Sequence, residues 1–149
     1  VRQTIVVGVD GSEGGKAALE FASEEAALRK SRLRIVSAWE IPVGAYSAGT
    51  APPPDPTTLD VIRLGAEQIA ADAVERARQL QPSLEVEGLT MMGQPADALI
   101  GQSAEADLIV VGRRGLGGFR SLLLGSVSQQ VVHYATCPVV VVQPPPSSE

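Results

Sequence analysis

Five short strand-like runs, Thr4–Val9, Leu33–Trp39, Leu84–Thr90, Asp107–Val111 and Pro138–Gln143, alternate with stretches of helical periodicity, and this alternation restricts the fold more than any other feature of the chain. Ile5-Val6-Val7 and Val139–Val142 are apolar at every position, the pattern of strands covered on both faces rather than one. Strands of that kind, joined through helices, make right-handed crossovers. The expected fold is therefore a single α/β doubly wound domain, a parallel sheet with helices on both faces. Ligands in such sheets bind beyond the carboxyl ends of the strands, where Asp10 and the segment after Gly112 both fall.

The helices have their own signals. Ser12 is placed to N-cap the first, without the glutamate that would complete a capping box, and Ala18, Phe21, Ala22, Ala26 and Leu28 trace its expected core stripe. From Thr58 onward Ile62, Ala66, Ile69, Ala73, Ala77 and Leu80 recur at helical spacing, which predicts a long amphipathic helix. Pro95 opens a short helix ending near Ala104, and Ser126–Tyr134 forms the last. The proline-rich stretch from Pro42 to Pro56 reads as a long surface loop. The folded domain is expected over 1–143, followed by a flexible Pro/Ser tail over 144–149.

The segment most suggestive of chemistry runs from Leu108 to Ser128. A buried-looking strand enters a loop with glycines at 112, 115, 117 and 118 and arginines at 113, 114 and 120, and Gly125-Ser126 then starts a helix. Glycines let backbone amides approach a ligand without Cβ obstruction, and a helix start presents unpaired amides to an anion. A phosphate cradle is the expectation.

Composition narrows the partners. No apolar run approaches the ~20 residues of a membrane span, and Cys137 is the only cysteine, so a reducing, cytoplasmic setting is expected. The formal net charge of −5 argues against general nucleic-acid binding, while the loop arginines can still make a local positive patch. His133, the only histidine, has no serine–aspartate arrangement around it in the sequence and reads as structural. Cys137, Trp39 and Met91-Met92 read as packing residues.

Gly112-x2-Gly115-x9-Gly125-Ser126, the Gly8-Val-Asp-Gly-Ser12 turn and the closing Cys137-Pro-Val-Val-Val-Val142 together resemble the universal stress protein family over nearly the whole chain. The resemblance implies a sheet of order 3-2-1-4-5, a homodimer, and ATP held between the ends of the first and fourth strands, with Mg or Mn as an accompanying ion. Carried onto this sequence, it assigns Gly8, Val9, Asp10, Gly11 and Ser12 to the first ligand segment, with Asp10 near ribose, phosphate or a metal. Ala38 would meet adenine through its backbone, Val111 and Gly112 would line the nucleoside, and Gly115 would form the phosphate turn. Gly125, Ser126, Val127 and Ser128 would receive the outer phosphates, and Arg113, next to Gly112, is a candidate phosphate partner among the loop arginines. Gly8 departs from relatives that carry proline there.

Neither a Gly-x4-Gly-Lys-Ser/Thr loop nor a Gly-x-Gly-x-x-Gly turn is present, which argues against a P-loop NTPase and a dinucleotide oxidoreductase. The expected function is an ATP-binding regulatory stress protein in which nucleotide controls a surface shown to a protein partner, with at most slow hydrolysis. The alternative is a nucleotide-free dimeric interaction module of the same fold. In either case the strand Pro138–Gln143 is the expected homodimer edge.

Overall fold

The computed structural model of the protein describes residues 2–41, 48–49, 52, 55–113 and 124–144. Strands β1 (Thr4–Gly8), β2 (Arg32–Trp39), β3 (Val86–Met92), β4 (Leu108–Gly112) and β5 (Val139–Val142) form one parallel sheet in the order β3-β2-β1-β4-β5. Helices α1 (Glu13–Arg29), α2 (Pro56–Leu80), α3 (Pro95–Gln102) and α4 (Ser126–Tyr134) connect them. The architecture and strand order are those expected.

The apolar runs of β1 and β4 are explained by a core on each side of the sheet. Ile5, Val7, Leu108 and Val110 face α1 and α2, whereas Val6, Ile109 and Val111 face α3 and α4. All seven are buried, and complete burial of each such side chain stabilises the fold by about 1.5–3 kcal/mol.

Helix α1 packs through Gly14, Gly15, Ala18, Leu19, Ala22, Ser23 and Ala26. The expected stripe was right for its alanines and wrong for its two largest members, because Phe21 is 36% and Leu28 is 73% exposed. At about 100° per residue both lie more than a quarter-turn from the centre of the small-residue stripe. Small side chains bring the helix axis close to the sheet. The α2 stripe is buried through Ala66, Ala70, Ala73 and Ala77.

Strand β3 also departs from expectation, beginning and ending two residues later than Leu84–Thr90. The Leu84 amide donates to Gln81 O at 3.0 Å in the turn after α2, so the ladder starts beyond it. Met91 and Met92 then extend the strand opposite Ala38 and Trp39. Met91 packs on the core as expected, but Met92 is 67% exposed on the edge strand.

Arg34 ties β2 to its neighbours. Its guanidinium donates to Glu87 at 2.5 Å on β3 and to Gln102 at 2.8 Å on α3, with its side chain only 16% exposed. The Glu87 hydrogen bond raises its pKa further, so the cross-link is insensitive to pH on the basic side.

Asp55 caps α2, accepting from the Thr58 amide at 2.7 Å, and that bond holds its carboxyl below the usual carboxylate range. A lowered folded-state pKa contributes stability that is complete above the unfolded value and is lost as pH falls through the folded one. Asp55→Asn keeps a capping acceptor that does not titrate. Acid melts followed by circular dichroism should therefore show a smaller loss of stability in Asp55→Asn than in the parent; equal losses would contradict the cap.

Candidate functional site

At the carboxyl end of β1 the chain turns through Asp10-Gly11-Ser12. Gly11 has φ +83°, a left-handed conformation that favours glycine. Asp10 Oδ1 accepts from the Ser12 amide at 2.9 Å and from the Ser12 hydroxyl, and Ser12 Oγ in turn accepts from the Gly15 amide at 3.1 Å. Asp10 thus makes an Asx turn that sets the cap of α1. A Cβ on Gly15 would lie 3.0 Å from Asp10 Oδ1, so the turn rests directly on the first turn of the helix.

Gly112 closes β4 against that same helical turn. A Cβ on Gly112 would stand 2.5 Å from Gly14 O and 2.6 Å from Gly14 C, both backbone atoms that cannot rotate away. The glycine therefore lets the ends of β1 and β4 and the start of α1 converge. Gly14 was not singled out in the sequence, because its role depends on a residue almost a hundred positions away. At Gly8 the nearest atom to an added Cβ is Leu99 Cδ1 at 2.8 Å, the tip of a flexible side chain, so space there is more adjustable.

The third component is the start of α4. Arg113, the residue after β4, donates its amide to Val142 O at 2.8 Å and accepts at its carbonyl from the Gly125 amide at 2.8 Å and the Ser128 hydroxyl at 2.7 Å. Ser128 Oγ also lies 3.2 Å from Gly125 O and is 2% exposed. The backbone of one residue thus joins β4, β5 and α4. The helix begins at Gly125 without a side-chain cap, as α3 does at Gln94 and unlike α1 and α2. The amides of Ser126 and Val127 belong to the first turn, which has no helical carbonyl ahead of it. Ser126 is exposed and Val127 half-buried.

The structure accordingly brings Gly8, Val9, Asp10, Gly11 and Ser12 beside Val111, Gly112 and Arg113, with Gly125, Ser126, Val127 and Ser128 attached to the latter. Ala38 lies near the carboxyl end of β2, two residues beyond Val36, whose carbonyl accepts from the Val9 amide. Gly115, Arg114 and Arg120 lie outside the described residues. A separate groove of about 360 Å³ runs between α2 and the edge strand β3, lined by Ala70, Val74, Glu75, Arg78, Gly88 and Thr90 among others.

Among the described residues no group of three or more His, Cys, Asp and Glu side chains could hold a metal ion. His133 is exposed and sits edge-on to Tyr134 at 4.7 Å. Burial pushes the Cys137 thiol pKa up, away from the reactive thiolate. The groups that converge at these strand ends are mostly backbone groups and small side chains.

A family model described as the universal stress protein family matches residues 2–143. The chain belongs to the universal stress protein family. It is 38% identical over 147 residues to a universal stress protein of Thermus aquaticus, covering 95% of this chain and 98% of that one. It is 34% identical over 143 residues to a universal stress protein of Mycolicibacterium smegmatis, covering 96% of this chain but only 46% of the relative, so it spans about half the length of the mycobacterial proteins it matches. Among solved structures, a universal stress protein in complex with cAMP superposes with a TM-score of 0.69 at 29% identity, over 97% of this chain and 98% of the other. No helix among the described residues is long and apolar enough to cross a membrane.

Proposed function

We propose that this universal stress protein domain is an ATP-binding regulatory module, in which nucleotide at the carboxyl ends of β1 and β4 controls a surface shown to a protein partner. The observation that carries this reading is the start of α4, which lacks a side-chain cap and is pinned through Arg113 to the end of β4. Its first-turn amides and the Ser126 hydroxyl suit an outer phosphate. Asp10, Ala38, Val111 and Gly112 would surround the nucleoside, and Gly115 and Arg113 would contribute from the loop. The cAMP complex of the similar family member supports an adenine nucleotide as the class of ligand. A divalent ion such as Mg or Mn would arrive with the phosphates, since Asp10 is a single carboxylate already committed through Oδ1 to Ser12. We place the module in the cytoplasm.

Titration calorimetry with ATP, AMP, cAMP and GTP tests the reading. Saturable binding of ATP in preference to GTP supports it, whereas cAMP binding without ATP binding would reassign the site to cyclic nucleotides. Phosphoryl transfer needs an oriented water or base as well as metal clamps. Turnover of ATP at about 1 s⁻¹ or faster, an ordinary enzyme rate, would reject a regulatory role.

We also propose a homodimer through β5. It is an edge strand with all four valines half-buried, and the Ile109-to-Pro138 and Arg113-to-Val142 bonds turn the peptide groups of Val139 and Val141 outward. Such an edge invites pairing with another strand. Light scattering is expected to give twice the 15.5 kDa mass of the chain, and Val141→Asp should shift it to monomer with its circular dichroism unchanged. A monomeric parent protein at micromolar concentration would contradict the dimer.

A further inference from the structure

We infer that Ser128 is a positioning residue for the nucleotide site proposed above rather than a phosphate ligand, and its role presupposes that site. Its hydroxyl has a single proton, and both nearby acceptors belong to the protein: Arg113 O at 2.7 Å and Gly125 O at 3.2 Å. The residue is 2% exposed, so the hydroxyl faces the junction of β4 and α4. Ser126, two residues earlier, is exposed at the first position of the helix. The two serines of the Gly-Ser-Val-Ser sequence therefore divide their tasks, Ser126 facing outward and Ser128 holding the helix from behind.

The mechanism follows from the shared acceptor. Arg113 O receives both the Gly125 amide and the Ser128 hydroxyl, while the Arg113 amide is fixed to Val142 O. Two donors on one carbonyl set the direction of the first turn of α4, and hence where the Ser126 and Val127 amides point. Hydrogen bonds of this directness depend steeply on distance and angle. Loss of one of the two donors lets the turn tilt without releasing it.

Two measurements on Ser128→Ala test this. The affinities for ATP and for adenosine are compared by calorimetry, and exchange of the Gly125 amide hydrogen is followed by NMR in nucleotide-free protein. The expected result is an ATP affinity lower by about five- to tenfold, the factor for one ordinary hydrogen bond, adenosine affinity within about twofold, and faster Gly125 exchange before any ligand is added. A loss of ATP affinity with unchanged Gly125 exchange would overturn the inference, because the hydroxyl would then be a direct ligand. Unchanged ATP affinity, or equal losses for ATP and adenosine, would overturn it as well. If the parent protein binds neither ligand, the nucleotide reading itself fails and the inference with it, a result distinguished from the others without any variant.

Discussion

Replacing Gly112 with alanine is expected to lower the melting temperature by roughly 6–12 °C, corresponding to about 3 kcal/mol of overpacking. The added Cβ would stand 2.5 Å from Gly14 O and 3.0 Å from Gly14 Cα. Relief requires moving either the end of β4 or the first turn of α1. β4 is paired on both sides, and the helical turn is fixed by the Asp10–Ser12–Gly15 bonds. Gly65→Ala makes the contrasting control, since nothing lies within 4 Å of a Cβ there and the position is inside α2. It should stabilise the protein by about 0.5–1 kcal/mol through the better helix propensity of alanine. Scanning calorimetry decides: a Gly112→Ala melting temperature equal to that of the parent would mean that α1 is not held against β4 as described.

Ser126→Pro is expected to weaken ATP binding by at least about a hundredfold while changing the melting temperature by no more than about 2 °C. Proline is well tolerated at the first helical position, where its missing amide has no helical partner. The preceding Gly125 is already extended, with φ −74° and ψ 172°, a conformation compatible with a following proline. The substitution therefore removes one amide and one hydroxyl proposed to meet phosphate, each worth about 1.5–3 kcal/mol when charge-assisted, and leaves the helix standing. Ser126→Ala removes the hydroxyl alone and should cost correspondingly less. Undiminished ATP affinity in Ser126→Pro would show that phosphate does not sit at this helix start.

These two substitutions also mark what could be seen in the residues before the fold was known. The order of elements was legible because β-branched runs and alanine-rich helical stripes differ in period, and because Pro95, Ser12 and Gly125 punctuate helix starts. Strand order was not legible from period at all; it came with the family resemblance. Phe21 and Leu28 were misplaced because hydrophobicity was given more weight than angle: α1 packs mainly through small residues and Leu19, while Phe21 and Leu28 lie off that face. Leu84 looked like a strand residue because it alternates with Val86, yet its amide is used in the turn after α2.

At the candidate site the residue types were legible and their division of work was not. Gly112 stood out as a glycine near phosphate, but its contact with Gly14 joins positions far apart in sequence. Asp10 was expected near ribose, phosphate or a metal, and in the structure its Oδ1 makes the turn that caps α1. Ser128 carried the same phosphate expectation as Ser126 until burial separated them. Composition and spacing identify groups able to meet an anion. Only packing distinguishes the groups that face it from those that hold others in place.

On the proposed reading, this family member holds an adenine nucleotide at the ends of β1 and β4. The most direct test of that reading is to denature freshly purified protein and identify the released small molecules by mass spectrometry, with Gly125→Trp purified in parallel. ATP or ADP is expected from the parent protein and not from the variant. Parent protein that releases no nucleotide, and that also takes up none when ATP is added, would contradict the account and leave a nucleotide-free interaction module of the same fold.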